Sequence, residues 1–121
     1  MSPKTILIID DDETILSLVA ANLKRSGYTP LSASNGEDGI KSACENKPDA
    51  IILDWIMPGM DGDEVLNALK DNEETAHIPV IMLTARNEVN NVSDSLKHGA
   101  KDYIVKPYDH NHLIKRLEKL L

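Results

Sequence analysis

The chain has 121 residues, of which 20 are acidic and 13 are basic, so its formal net charge is −7. Domains most often contain about 100–150 residues, and this length therefore predicts one domain, residues 1–121. The 41% of hydrophobic and 27% of charged residues exclude wholesale disorder. The acidic excess argues against nucleic-acid binding, which depends on Lys and Arg side chains that neutralise phosphates.

The sequence also lacks the usual features of membrane and secreted proteins. The longest uninterrupted apolar runs have four residues, whereas a transmembrane helix needs about 20. The first residues show no apolar signal-peptide region. The single cysteine, Cys44, excludes an intramolecular disulfide and a cysteine-rich zinc site. We therefore expect a cytoplasmic protein that does not associate with membranes.

Short apolar runs alternate with amphipathic segments along the whole chain. In chain order the predicted elements are strand Ile6–Ile9, helix Glu13–Arg25, strand Thr29–Ala33, helix Gly36–Asn46, strand Ala50–Leu53, helix Asp63–Asn72, strand Val80–Leu83, helix Glu88–His98, strand Tyr103–Val105 and helix Asp109–Leu120. This alternation predicts an α/β fold, in which five helices cover both faces of a five-stranded parallel sheet. Pro30 favours an edge position for the second strand, because proline cannot donate to the ladder. The order 2-1-3-4-5 of a flavodoxin-like, doubly wound sheet satisfies this condition.

Polar side chains stand where the well-defined strands end. Asp10 and Asp11 follow the first strand, Asp54 the third, Thr84 the fourth and Lys106 the fifth. In an open parallel sheet, ligands bind at the carboxyl ends of the strands, next to the point where the strand order reverses. We therefore expect these side chains to converge in one pocket.

The residue types in this pocket indicate phosphoryl transfer. Clustered carboxylates raise one another's pKa unless a cation neutralises them, and Mg²⁺ prefers such oxygen ligands. The ammonium of Lys106 suits phosphate oxygens, and Thr84 adds a hydroxyl donor. Together these groups predict a site in which a carboxylate accepts a phosphoryl group.

With these motifs the chain resembles the receiver domain of two-component response regulators. The matching segments, in order and with the usual spacing, are Ile8 to Asp12, Ile52 to Asp54, Met57 to Gly62, Leu83 to Ala85, Gly99 to Tyr103 and Lys106 to Tyr108. Each motif is weak by itself, but the set covers essentially the whole chain and is highly specific.

The resemblance implies a role for each matching residue. Asp54 accepts a phosphoryl group from a histidine of a sensor histidine kinase or a histidine phosphotransferase, and Lys106 contacts the phosphoryl oxygens. Mg²⁺, for which Mn²⁺ can substitute, is held by Asp10, Asp11, Asp54 and the backbone carbonyl of Ile56. The Lys106–Pro107 bond is expected to be cis.

The resemblance also implies a conformational switch. Thr84 moves toward the phosphoryl group and Tyr103 swings inward behind it, which reshapes the surface of the fourth helix, fifth strand and fifth helix. That surface controls an effector protein or a fused output domain, and the chain is a monomer or a phosphorylation-dependent dimer. We expect a bacterial signalling protein and not an enzyme, since its phosphorylation and dephosphorylation are self-catalysed. It is either free-standing or part of a larger regulator or hybrid kinase.

Four positions extend this hypothesis. Ile56 and Arg86 occupy two positions that vary in the family and tune the lifetime of the phosphoryl group; an apolar Ile56 cannot orient an attacking water, which predicts slow autodephosphorylation. Tyr108 replaces the frequent Phe, a departure that we expect not to touch the chemistry. Leu18 lies about 140° from the centre of the apolar face of the first helix and is a candidate for contact with a phosphodonor protein.

Two other classes of protein share part of the pattern. Asp10 to Thr14 also fits the Asp-x-Asp-x-Thr signature of haloacid-dehalogenase-like phosphatases, with Asp10 as nucleophile and Asp12 as general acid. The short chain, the absence of an acidic pair after Lys106 and the lack of a role for Asp54 argue against this alternative. A flavodoxin-type cofactor binder is disfavoured because the loop after the first strand carries three aspartates in place of a phosphate-binding loop.

Overall fold

The computed structural model describes residues 3–85 and 99–121 of the chain. Five parallel strands form one sheet in the order β2-β1-β3-β4-β5. The strands are β1 (Thr5–Ile9), β2 (Thr29–Ala33), β3 (Ala50–Asp54), β4 (Val80–Ala85) and β5 (Asp102–Lys106). The described helices are α1 (Glu13–Arg25), α2 (Gly36–Asn46), α3 (Gly62–Asp71) and a C-terminal helix (His110–Leu120). The predicted fold class and strand order are confirmed, while the predicted helix at Glu88–His98 lies outside the described residues.

The central strands β1, β3 and β4 are buried on both faces because each face of the sheet packs against helices. Alternate residues of a strand point to opposite faces. Leu7 and Ile9 of β1 therefore join the core cluster that includes residues of α2 and α3. Ile6 and Ile8 join the second cluster, which includes residues of α1 and the C-terminal helix. All four of these β1 side chains are fully buried.

The second strand lies at the edge of the sheet, as Pro30 predicts. β2 pairs with β1 alone, and Pro30 is opposite Ile6 in that pairing. An edge strand needs no hydrogen bonds on its outer side, so the missing N–H of proline is tolerated there. This arrangement leaves β1 and β3 as direct neighbours in the sheet.

Side-chain caps define where the described helices begin at the carboxyl edge of the sheet. Each described helix begins after an Asp or Asn whose side chain accepts hydrogen bonds from backbone N–H groups of the first turn. Asp12 caps α1, so that only residues 10–12 connect β1 to this helix. Within the described part of the chain, no helix combines the length and the apolar character needed to cross a membrane.

Candidate functional site

The pairing of β1 with β3 brings three carboxylates together. Ile9 is paired with Leu53, so Asp10 and Asp54 occupy the next position on neighbouring strands. One carboxylate oxygen from each of Asp10, Asp11 and Asp54 lies within 4.8 Å of the other two. Asp10 and Asp54 are buried, while Asp11 is exposed. The cluster is thus open to solvent on the side of Asp11.

The two oxygens of Asp10 differ in their environment. Oδ1 accepts a hydrogen bond of 2.9 Å from the backbone N–H of Asp12, which fixes the carboxylate within the loop that leads to α1. Oδ2 is buried and accepts no hydrogen bond from any residue that the structure describes. A buried polar atom normally has a partner. A divalent cation held by oxygen ligands would provide one, so this carboxylate set fits Mg²⁺.

Lys106 supplies a positive charge directly to the Asp54 carboxylate. It is the last residue of β5, and its Nζ donates a hydrogen bond of 2.8 Å to Asp54 Oδ1. The Lys106–Pro107 peptide bond is cis, as the resemblance implies. Burial by itself would lower the pKa of Lys106, but the hydrogen bond and the negative charge of Asp54, helped by Asp10, raise it above the ordinary value. The side chain therefore stays protonated at neutral pH.

The pKa values of both buried carboxyls are raised above the ordinary value of 3.8. Burial is the largest cause for each, because it penalises the charged form. The negative charges of neighbouring carboxylates add to the increase, and the charge of Lys106 opposes it. The sequence predicted that the pKa values would be raised by repulsion between the carboxylates. In the structure, burial at the carboxyl end of the sheet is the larger cause of the increase.

Thr84 and Tyr103 lie on adjacent strands beside this cluster. Leu83 of β4 is paired with Asp54, and Thr84 is the next residue, with a buried side chain. Tyr103 of β5 is paired with Met82, and both residues pack against the same core cluster. Because residues two apart on a strand share a face, the Thr84 hydroxyl and the partly buried Tyr103 ring lie on one face of the sheet. Arg86 lies outside the described residues.

The loop between β3 and α3 presses against the end of β3. The N–H of Gly62 donates a hydrogen bond of 2.8 Å to the carbonyl of Trp55. A Cβ at this position would lie 2.8 Å from the same carbonyl oxygen, so the contact requires glycine. Ile56 lies between these points and is 59% exposed. Its apolar side chain therefore faces solvent two residues after Asp54.

A groove between α1 and the residues after β5 opens beside Lys106. It has a volume of about 330 Å³ and a mostly apolar surface, to which Leu18, Val19, Lys106, Pro107 and Tyr108 contribute. Leu18 is 59% exposed, which confirms its predicted position outside the core face of α1. Tyr108 also lines this groove, and burial is the main cause that raises its pKa, while the charges of Asp10 and Asp54 add to the increase and that of Lys106 opposes it.

The fold and the site together define an open, parallel α/β domain with a carboxylate cluster at the carboxyl edge of its sheet, and comparison with known proteins identifies the family. A family model described as "Response regulator receiver domain" matches residues 6–118. The chain therefore belongs to the response regulator receiver domain family.

Relatives within this family differ in length. The chain is 43% identical over 121 residues to the phosphate regulon transcriptional regulatory protein PhoB of Pseudomonas aeruginosa, and it covers 100% of itself and 53% of PhoB. It is 36% identical over 116 residues to protein PilH of the same species, with 96% of each chain covered. The chain thus spans about half the length of the first relative and nearly all of the second.

One solved structure of a similar domain contains a magnesium ion. The receiver domain of sensor histidine kinase PA1611 from P. aeruginosa superimposes with a TM-score of 0.88 at 26% identity, over 98% of this chain and 97% of that one. Its description records a magnesium ion coordinated in the active-site cleft. Neither the family nor these relatives support the dehalogenase-like alternative.

Proposed function

We propose that the chain is a phosphorylation-dependent switch in which Asp54 accepts a phosphoryl group from a histidine of a partner protein. One observation carries this proposal: three clustered carboxylates, which suit a divalent cation, stand beside a lysine ammonium that is bound to the acceptor itself. A carboxylate between a cation site and an ammonium can receive a phosphoryl group whose negative charge both sides stabilise.

The transfer breaks the P–N bond of the phosphohistidine and forms a P–O bond to the Asp54 carboxylate. The electron pair of the broken bond stays on the imidazole nitrogen of the partner. The Lys106 ammonium, 2.8 Å from Asp54 Oδ1, is placed to hold the phosphoryl oxygens after the transfer. Mg²⁺ would be held by Asp10, Asp11, Asp54 and the carbonyl of Ile56, where it supplies the positive charge that offsets the carboxylates.

The negative charge of a phosphoryl group on Asp54 would shift the neighbouring strands from one conformation toward a second. Thr84 moves toward the phosphoryl group, and Tyr103 follows into the space behind it. Their placement on one face of adjacent strands supports this motion, because a shift of the hydroxyl changes the room available to the ring. The altered surface at β5 and the C-terminal helix then controls an effector or a fused output domain.

The phosphodonor would be a sensor histidine kinase or a histidine phosphotransferase that docks in the groove beside Lys106. The 59% exposure of Leu18 supports this placement, because burial of an exposed leucine at an interface contributes to affinity. The groove is continuous with the acceptor site through Lys106, which lines the first and contacts the second.

Intact-mass spectrometry after incubation with Mg²⁺ and acetyl phosphate tests the chemistry. The wild type should gain one phosphoryl group, and Asp54→Asn should gain none. Asp71→Asn is the matched control, since it makes the same substitution at an exposed residue at the end of α3; it should behave like the wild type. Unchanged phosphorylation of Asp54→Asn would contradict the proposal.

An assay of released phosphate in the same reactions, with Asp10→Asn added to the variants, separates the switch from a phosphatase. A switch releases phosphate only as fast as its own phosphoryl group decays. Continuous release of phosphate that requires Asp10 but survives the loss of Asp54 would instead favour an enzyme with Asp10 as nucleophile.

A further inference from the structure

The register of β3 and β4 places Trp55 beside Thr84. Leu53 of β3 is paired with Met82 of β4, and Trp55 and Thr84 stand two positions further along the chain from these residues. Residues two apart on a strand share a face, so Trp55 and Thr84 point to the same face of the sheet as that pair. Neighbouring strands are about 4.8 Å apart, which makes the indole and the Thr84 side chain direct neighbours.

The packing of the indole agrees with this register. Trp55 is partly buried and packs against the core cluster that contains Leu53 and Met82. Thr84 is 2% exposed. Asp54 is one position earlier on β3, so a hydroxyl on β4 reaches a phosphoryl group there only by moving toward the strand that carries the indole.

The backbone of Trp55 is held by contacts on both sides of the residue. Its N–H donates a hydrogen bond of 2.9 Å to the carbonyl of Leu83, and its carbonyl accepts one of 2.8 Å from the N–H of Gly62. A Cβ on Gly62 would lie 2.8 Å from the Trp55 Cα, so the two backbones are in close contact. The indole therefore projects from a fixed point next to β4.

A fixed indole beside Thr84 restricts the positions that the hydroxyl can occupy. The ring offers no oxygen acceptor, and a buried hydroxyl without an acceptor is costly. The ring is also large and rigid, whereas threonine is β-branched and has few rotamers to choose from. Positions of the hydroxyl toward the carboxyl edge of the sheet, where the phosphoryl group forms, are thus favoured over positions toward the ring.

We propose that Trp55 is a positioning residue whose indole keeps the Thr84 hydroxyl directed toward a phosphoryl group on Asp54. This role rests on the proposed function, in which that hydroxyl contacts the phosphoryl group. A smaller side chain at position 55 leaves room on the β3 side of the threonine, so the hydroxyl is less often where the phosphoryl group needs it. Phosphorylation then slows, although the carboxylates that suit Mg²⁺ are unchanged.

A double-mutant cycle tests whether Trp55 acts through Thr84. It compares the wild type, Trp55→Ala, Thr84→Val and the double variant, where Thr84→Val replaces the hydroxyl with a methyl group of similar size. Each protein is incubated with Mg²⁺ and acetyl phosphate, and intact-mass spectrometry over time gives the maximal rate of phosphorylation. Urea unfolding with and without Mg²⁺ establishes that each variant is folded and binds the metal.

We expect Trp55→Ala and Thr84→Val each to lower the maximal rate about three- to tenfold, the effect of one hydrogen bond. The two losses should not multiply in the double variant, because no hydroxyl is left for the indole to position. Trp55→Phe keeps a flat apolar ring and should stay within about twofold of the wild type. Ile40→Ala is the matched control, since it truncates another partly buried side chain that packs against the same cluster; it should leave the rate unchanged.

Two results would overturn the role of Trp55. One is a wild-type rate for Trp55→Ala when Thr84→Val is slow. The other is an equal loss from Trp55→Ala with and without the Thr84 hydroxyl, which would reflect general damage to the fold. If Trp55→Ala does not fold, Trp55→Leu takes its place in the cycle and is judged by the same two results. A Thr84→Val variant as fast as the wild type would instead contradict the switch in the proposed function, and the role of Trp55 with it.

Discussion

Replacing Asp10 with Asn should stabilise the metal-free protein while abolishing its response to Mg²⁺. Asp10 is 1% exposed, and its Oδ2 has no hydrogen-bond donor among the described residues. Two unit negative charges 4.8 Å apart, the limit within which the three carboxylates lie, repel by about 3.5 kcal/mol at an effective dielectric constant of about 20. The ammonium of Lys106 offsets part of this repulsion. We therefore expect Asp10→Asn to raise the free energy of unfolding by about 1–3 kcal/mol without Mg²⁺.

The substitution keeps the local structure because Asn retains an oxygen for the N–H of Asp12. Its amide group then faces Asp11 and Asp54 as a hydrogen-bond donor where Asp10 presents a negative oxygen. Mg²⁺ at 100 times its dissociation constant should stabilise the wild type by about 2.7 kcal/mol. The variant should gain almost nothing, so the order of stability should reverse when Mg²⁺ is added.

The effect should depend on pH with a definite sign. The pKa values of Asp10 and Asp54 are raised in the folded protein, so the wild type carries the full cost of its buried charges at pH 7. As the pH falls through these raised values toward 3.8, the folded protein takes up protons before the unfolded chain does, and the cost disappears. The advantage of Asp10→Asn should therefore be largest at pH 7 and shrink toward pH 4.

Urea unfolding at several pH values, with and without Mg²⁺, measures both effects. Asp71→Asn, at an exposed position, should change the free energy of unfolding by less than about 0.5 kcal/mol. The reasoning is refuted if Asp10→Asn is less stable than the wild type without Mg²⁺, or if Mg²⁺ stabilises both proteins equally.

Two further substitutions test the surface around the site. Ile56→Asn should speed the decay of phosphorylated protein about tenfold, because one hydrogen bond that orients the attacking water lowers the barrier by about 1.4 kcal/mol. Leu18→Asn, which changes an equally exposed residue on α1, is the control. An unchanged decay rate in Ile56→Asn would contradict the proposed lifetime effect. Leu18→Asp should weaken phosphotransfer from a kinase about tenfold or more through lost apolar burial and leave the reaction with acetyl phosphate unchanged. Ser17→Asp adds the same charge at an exposed neighbour of Leu18 that does not line the groove and should have little effect on either donor. Equal losses for Leu18→Asp with both donors would rule out docking.

The sequence predicted the strands and the site because strong local patterns coincide with the fold. Runs such as Ile6 to Ile9 are typical of strands in a parallel sheet that is covered on both faces, and Pro30 restricts its strand to an edge. The strand order 2-1-3-4-5 of doubly wound sheets satisfies both constraints, and that order places β1 beside β3. The convergence of Asp10 and Asp54 follows directly from that adjacency.

Other features depend on distances that the sequence pattern does not contain. The sequence placed Lys106 at the same edge as Asp54, but the 2.8 Å hydrogen bond depends on how far β5 extends beyond its neighbours. Burial exceeds repulsion as the cause of the raised pKa of Asp10, because helices cover both faces of the sheet around it. The place of Tyr108 in the lining of the groove depends on the path of the chain between β5 and the C-terminal helix.

The most direct test of the account is to locate the phosphoryl group by peptide mass spectrometry. The protein would be phosphorylated with acetyl phosphate and Mg²⁺, trapped by chemical reduction of the acyl phosphate, and digested. The account predicts one modified residue, Asp54, and no modification when Mg²⁺ is removed with a chelator. Modification of Asp10 in its place would contradict the central claim, as would Asp54 labelling that is independent of Mg²⁺.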